Sequence, residues 1–301
     1  MRVGFARKRL VIANRAVVLL GLVAIFFAPA HAATGKSFMW KASKGQSAVY
    51  LVGSVHALSQ DFYPLASALE DGFKDSDLLV EEVDLAQMMN PSAQMQIMTR
   101  GLLKPDQSLD KILSPSTMAL VNKAGSDLGP AMEVLKKFKP WMLAIALQGL
   151  ELQKAGFDPQ LGLDKHFYDE AQSAGKSVQG LETVDYQLSR FDEMTNEQQD
   201  RMLAETIKEL ETEIASVSTL AGAWRTGDAP QVERIVLKDL KSDSQMYQRL
   251  LVERNRNWMP QIEALFARPG RTFVVVGAAH LVGPDGLLQM LKIKGYTIEQ
   301  L

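Results

Sequence analysis

Two histidines occur in the same local context near opposite ends of the chain. His56 closes a Gly-Ser-Val-His turn after the apolar run 48–52, and His280 closes a Gly-Ala-Ala-His turn after the apolar run 273–276. Short runs of bulky apolar residues are typical of strands that are buried on both faces. Open α/β sheets bind ligands outside the carboxyl ends of their strands, which is where these turns place both imidazoles. Each histidine can therefore be a metal ligand, a general base or a structural residue.

Carboxylates follow another predicted strand. The strand pattern 77–80 is followed directly by Glu81 and Glu82. Because successive strand residues point to opposite faces, either one of this pair faces inward or both lie at the strand end. A carboxylate beside two imidazoles is a ligand set for a divalent ion, and we predict that His56, Glu82 and His280 bind one. Such an ion would lower the pKa of a bound water molecule and supply hydroxide near neutral pH.

Other kinds of catalytic centre have weaker support. The chain has no cysteine, which excludes a thiolate nucleophile or a thiolate metal ligand. Ser54 lacks the Gly-x-Ser-x-Gly context of a hydrolase nucleophile, and no glycine-rich phosphate loop is present. His166 lies within the helical pattern 161–174, beside two aromatic residues. We interpret it as a packing or surface residue.

The two histidine turns belong to two similar units that together predict an α/β fold. Each unit reads as a strand, a Gly-x-x-His turn, a helix and a second strand, and the last strand is expected at 296–301. We predict a central sheet built from these units and one domain over 33–301. Between the units, the patterns predict a large, mostly helical region over 90–267, with a short strand possible at 176–182.

The helical pattern 244–266 carries a charge on its apolar face. Arg254 falls on the same side as Leu250 and Trp258, each four residues away. A guanidinium turned inward needs a carboxylate partner, for which Glu82 and Glu182 are the first choices. The alternative is an arginine whose stem lies on the core while its head reaches solvent. We predict that Arg254 is largely buried and paired with one of these carboxylates. A proline at position 260 should kink or break this helix.

The N-terminus has the pattern of a secretory signal peptide. A basic region precedes the apolar run 16–28, and Ala30-His31-Ala32 predicts cleavage after Ala32. Residues 1–32 carry five basic and no acidic side chains, so the net charge changes from −2 for the whole chain to −7 for the mature part. We therefore expect a periplasmic or secreted protein with no stable membrane anchor after cleavage. The negative charge argues against a nucleic-acid partner.

A series of short motifs runs in order along nearly all of the mature chain. The motifs are Gly53-Ser-Val-His56, Glu82-Val-Asp84, Gly180-Leu-Glu-Thr183 with Gln187, Gly227-Asp228, Glu253-Arg-Asn255 with Trp258, and Val276-Gly-Ala-Ala-His-Leu-Val-Gly283. Together they resemble the TraB/GumN family, which is related to the Tiki-type metal-dependent proteases. The resemblance implies an α/β fold built on two similar units. It also implies a metallohydrolase-like site. The residues of that site would be His56, Glu82, Arg254, Asn255 and His280.

Our leading hypothesis is an exported metal-dependent hydrolase that acts on a peptide or a small molecule, with a peptide bond the first choice. The ion would be Mn²⁺, Zn²⁺ or Co²⁺. Arg254 would orient a carboxylate or stabilise an oxyanion, and Asn255 would contribute a hydrogen bond. Glu81 or Glu182 is the candidate general base. The alternative is a non-catalytic ligand-binding protein of the cell envelope that retains the pocket.

Overall fold

The computed structural model of this chain describes residues 35–126 and 128–301, without the side chains of 211–216 and 239. The signal peptide predicted over 1–32 lies outside these residues. The strands are β1 (Met39–Lys44), β2 (Ser47–Ser54), β3 (Leu78–Glu81), β4 (Ser177–Gly180), β5 (Thr272–Gly277) and β6 (Thr297–Gln300). In the described residues they form one six-stranded sheet of order β4–β3–β5–β2–β1–β6. The predicted α/β class with a central sheet is confirmed.

The sheet is mixed, and its parallel part carries the two histidine turns. Strands β4, β3, β5 and β2 are parallel neighbours, whereas β1 pairs antiparallel with both β2 and β6. In β2 and β5, Gly53 pairs with Val276 and Ser54 pairs with Gly277. The two turns therefore leave adjacent strands at the same edge. This arrangement confirms that the similar units pair their first strands as neighbours.

Helices make up most of the chain between β3 and β5, as the sequence predicted. The α-helices are α1 (Ser67–Lys74), α2 (Leu85–Met89), α3 (Pro91–Gly101), α4 (Leu109–Ile112), α5 (Pro115–Ala124), α6 (Pro130–Leu135), α7 (Pro140–Lys154), α8 (Leu163–Ala174), α9 (Val184–Asp192), α10 (Asn196–Arg225), α11 (Ala229–Leu240), α12 (Ser244–Tyr247), α13 (Glu253–Leu265), α14 (Ala278–Leu281) and α15 (Leu287–Ile293). Short 3₁₀ turns cover Gln60–Phe62 and Pro159–Leu161, and a π-helical turn covers Gln248–Val252. Over the described ranges, no helix is both long and apolar enough to cross a bilayer.

The two faces of the sheet are covered by different helices. Phe73 of α1 and Phe167 of α8 pack on Phe273 of β5, with ring centroids 5.5 and 4.7 Å away. Paired residues of parallel strands share a face, and Glu81 pairs with Val275, two residues after Phe273. Glu81 therefore points to the face covered by α1 and α8. The next residue, Glu82, points to the opposite face, where α13 lies.

The helix that carries Arg254 is not broken at its proline. A kink or a break was predicted at position 260, and the prediction of a break is wrong, because α13 continues from Glu253 through Pro260 to Leu265. Trp258 and Ile262 are fully buried on either side of it, and their packing offsets the one backbone hydrogen bond that proline removes. The π-helical turn lies earlier and ends directly before α13. Such turns often occur at functional sites.

Candidate active site

The three predicted metal ligands converge on the backbone of Gly277 at the end of β5. A side chain at this position would place its Cβ 3.2 Å from Glu82 Oε1, 3.4 Å from His56 Nε2 and 3.6 Å from His280 Cδ2. Both imidazoles and the carboxylate therefore lie around this one backbone position, which we call the pocket, and an added Cβ would be in tight contact with Glu82. The Gly277 amide donates to Glu82 Oε1 at 2.8 Å and fixes the carboxylate at the sheet edge.

Asn255 of α13 determines the orientation and tautomer of His280. Its side-chain Nδ2 donates to the carbonyls of His280 and Asp285, at 3.2 and 2.8 Å, which leaves Oδ1 as an acceptor. The His280 Nδ1 hydrogen is therefore assigned to the 2.7 Å contact with Asn255 Oδ1. The lone pair of Nε2 then accepts from Arg254 Nη1 at 2.9 Å. Burial lowers the pKa of His280 to about 3, so the ring is neutral.

Arg254 is the centre of the charge cluster, and its predicted burial and pairing are confirmed. Its side chain is 9% exposed and contacts both candidate carboxylates, Glu82 at 2.5 Å and Glu182 at 2.7 Å from Nη2. Nε also donates to Glu182 at 3.1 Å, and Nη1 donates to His280 and to the carbonyl of Leu250. These contacts use all five N–H groups of the guanidinium. In this arrangement Arg254 has no N–H left for a substrate oxyanion.

The two glutamates bound to Arg254 have pKa values shifted in opposite directions. Burial by itself would raise the pKa of Glu82, but the positive charge of Arg254 and the Gly277 amide contribute to holding that pKa well below its usual range. Burial raises the pKa of Glu182, and the hydrogen bonds from Arg254 and Trp258 oppose this only in part. Trp258 Nε1 donates to Glu182 at 2.9 Å. Glu82 is therefore the fixed negative charge of the pocket.

His56 has a partner that the sequence analysis did not identify. Its Nδ1 lies 2.8 Å from Asp164 Oδ2, and its side chain is 69% exposed. The Asp164 carboxylate raises the pKa of His56, although water around the exposed ring weakens this effect. In the sequence, Asp164 is marked only by its place in the first turn of the helical pattern 161–174. That place does not indicate a functional residue, because many helices have an acidic side chain near the N-terminus, where it is favourable.

Glu81 and His166 lie away from this pocket. Glu81 is 2% exposed on the opposite face of the sheet, and its Oε2 accepts from the amide of Leu85 at 3.2 Å. Among the described residues its Oε1 has no hydrogen-bond partner, and burial raises the pKa of Glu81 to about 8. The structure does not bring this candidate base to the histidines. His166 pairs with Glu70 at 3.1 Å and packs against aromatic rings, in agreement with a packing role.

The orientation of both imidazoles fits a divalent ion. Each ring has Nδ1 against a side-chain oxygen, Asp164 for His56 and Asn255 for His280, as metal-binding histidines usually do. His280 Nε2 lies 3.8 Å from a Glu82 oxygen, and two ligands at about 2.0–2.2 Å from one ion lie at similar separations. The described residues nevertheless contain no group of three such side chains already arranged to hold an ion. Arg254 also occupies the His280 Nε2 lone pair that such an ion would need.

Comparisons with known proteins agree with the resemblance noted in the sequence. The model of the TraB/PrgY/gumN family matches residues 38–300. The chain is 26% identical over 262 residues to the uncharacterized protein YbaP of Escherichia coli (strain K12), covering 86% of this chain and 94% of that protein. It is 21% identical over 268 residues to an uncharacterized protein of Treponema pallidum (strain Nichols), covering 84% of this chain and 79% of that protein. No solved structure gives a significant match.

Proposed function

The chain belongs to the TraB/PrgY/gumN family, and from this premise and the geometry of the pocket we propose that it is an exported metal-dependent hydrolase that cleaves peptide bonds. The observation that carries the proposal is the arrangement around Gly277. Two imidazoles and one carboxylate meet there, and each imidazole is oriented through its Nδ1 atom. The choice of a peptide bond rests on the relationship of the family to the Tiki-type proteases.

In this proposal, His56, Glu82 and His280 hold a divalent ion such as Mn²⁺, Zn²⁺ or Co²⁺. When bound, the ion supplies a Lewis acid and an activated water. His280 has the required neutral form with its lone pair on Nε2, and Glu82 supplies the negative charge. The N–H group of Arg254 that now meets His280 Nε2 would have to be released.

The remaining polar groups position charge and move protons. Arg254 stays tied to Glu182 through Nε and Nη2, so releasing His280 frees one N–H group of Nη1 for a substrate oxygen. Glu182 is the general-base candidate that lies in the cluster, and burial raises its pKa. Asn255 holds the ring of His280 throughout.

Metal analysis of the protein tests the proposal directly. Untagged mature protein would be purified, analysed for its elements, and titrated with Mn²⁺, Zn²⁺ and Co²⁺ by calorimetry. We expect one ion per chain, lost in His56→Ala and in His280→Ala. The matched control is His166→Ala, which also removes a histidine with a carboxylate partner and should leave binding unchanged.

Activity is then measured with a peptide library and mass spectrometry. Cleavage that requires the ion and fails in the His56→Ala and His280→Ala proteins would support the enzyme. A ligand held without turnover would support the binding protein of the cell envelope instead. A wild-type protein that neither binds one of these ions nor cleaves a peptide would refute the proposed function.

A further inference from the structure

We propose that Asp164 is the positioning residue of His56, holding the ring through Nδ1 so that Nε2 faces the pocket beside Gly277. Asp164 would act through His56 and would not itself contact substrate or ion. This inference deepens the proposed function, because the Nε2 atom that Asp164 presents belongs to the same site. The orientation of the ring can nevertheless be measured without any ion.

The backbone brings Asp164 to His56. Leu163, the first residue of α8, donates its amide to the carbonyl of Val55 at 3.1 Å. The preceding Gly162 approaches so closely that a Cβ there would lie 2.2 Å from the His56 carbonyl oxygen. The start of α8 is thus docked on the turn that carries His56. Asp164 follows one residue later, with its side chain 18% exposed and aimed at Nδ1.

The two histidines of the pocket differ in how their rings are held. His280 is 6% exposed and packs on the Trp258 ring at 4.5 Å, so packing and Asn255 both fix its ring. His56 is 69% exposed and has little packing to restrict rotation. A charge-assisted hydrogen bond from Nδ1 to a carboxylate supplies the missing restraint. It also keeps Nδ1 protonated, which leaves Nε2 as the ring atom that a pocket ligand can meet.

Helix α8 also carries a histidine that contacts a carboxylate, and this second pair serves as a control. His166 lies two residues after Asp164 and contacts Glu70 through Nε2 at 3.1 Å. Its ring lies between Tyr63 and Phe167, with centroids 5.4 and 5.0 Å away. Removing the Glu70 carboxylate therefore also takes a negative charge from a histidine of α8, but one that is not among the three groups nearest to a Gly277 Cβ. Glu70→Gln controls for general effects of losing such a pair.

The first test is nuclear magnetic resonance of metal-free protein with ¹⁵N-labelled histidine. A hydrogen-bonded Nδ1 proton of His56 should give a downfield, slowly exchanging signal. We expect Asp164→Ala to lose this signal and Asp164→Asn to retain a weakened one, because an amide oxygen still accepts the bond. Glu70→Gln should leave it intact. Persistence of the wild-type signal in Asp164→Ala would overturn the proposal, as would its absence from the wild type.

The second test is titration of the same proteins with Zn²⁺ and Mn²⁺. Residues that orient a metal-binding histidine typically contribute roughly 10–100-fold in affinity. We expect a loss of that size in Asp164→Ala, a smaller loss in Asp164→Asn and none in Glu70→Gln. Equal affinities of wild type and both Asp164 variants would overturn the proposal. If the wild type binds neither ion, the proposed function fails, and the resonance experiment still decides the role of Asp164.

Discussion

The buried Glu81 side chain gives a pH-dependent prediction that can be worked out from its surroundings. Glu81 is 2% exposed, and within the part of the chain that the structure describes its carboxylate accepts one hydrogen bond, from the amide of Leu85. Burial favours the uncharged acid and raises the pKa of Glu81 from 4.5 to about 8. Replacement by glutamine keeps the size and the acceptor and removes the titration. The Glu81→Gln protein should therefore lose one pH-dependent contribution to stability.

The sign and size of this contribution follow from the protons that Glu81 binds in the folded and unfolded states. Below pH 4.5 both the folded and unfolded forms of Glu81 are protonated, and its folded-state contribution is fully present. Between pH 4.5 and 8 the unfolded chain releases the proton while the folded protein retains it, so stability falls as pH rises. Above pH 8 the loss is constant. The full shift from 4.5 to about 8 corresponds to about 5 kcal/mol, of which about 4 kcal/mol falls between pH 5 and 9.

The assay is urea unfolding of wild type and Glu81→Gln from pH 5 to pH 9, with a chelator present. The difference in unfolding free energy should change by about 4 kcal/mol in favour of the variant as pH rises. Glu82→Gln is the control, because its folded-state pKa is lowered. That variant should be less stable than wild type by an amount that stays nearly constant from pH 5 to 9 and becomes smaller only below pH 4.5. A difference for Glu81→Gln that stays constant from pH 5 to 9 would refute a desolvated Glu81.

Three further predictions concern the cluster, the packing and the N-terminus. Arg254→Leu leaves two buried glutamates unpaired and should cost about 3–5 kcal/mol in urea unfolding at pH 7; an unchanged transition would contradict the buried pairing. Gly162→Ala should cost about 1–3 kcal/mol, because its Cβ would meet the His56 carbonyl. Gly149→Ala in α7 meets nothing within 4 Å and should lose no stability. Mass spectrometry of periplasmic protein should find a chain that begins at Ala33, and a full-length mass would contradict cleavage.

The sequence by itself predicted the features that depend on local periodicity. The apolar runs before His56 and His280 indicated strands, and their repeated context indicated neighbouring strands with turns at one edge, as observed. The inward position of Arg254 followed from helical spacing and its need for a carboxylate, and the structure contains that pair. Alternation in a strand and the period of a helix report which face a residue occupies, so one sequence is sufficient for such inferences.

The tertiary structure alone decided which side chains meet. Asp164 reaches His56 across 108 residues of chain, because the start of α8 docks on the His56 turn, and no local pattern records that docking. Arg254 binds Glu82 and Glu182 together, and with its contacts to His280 and Leu250 this uses all of its donors, so none is free for a substrate oxyanion in this arrangement. Spacing places a residue on a face, but packing of distant elements determines its partner. The partners decide which groups remain free to react.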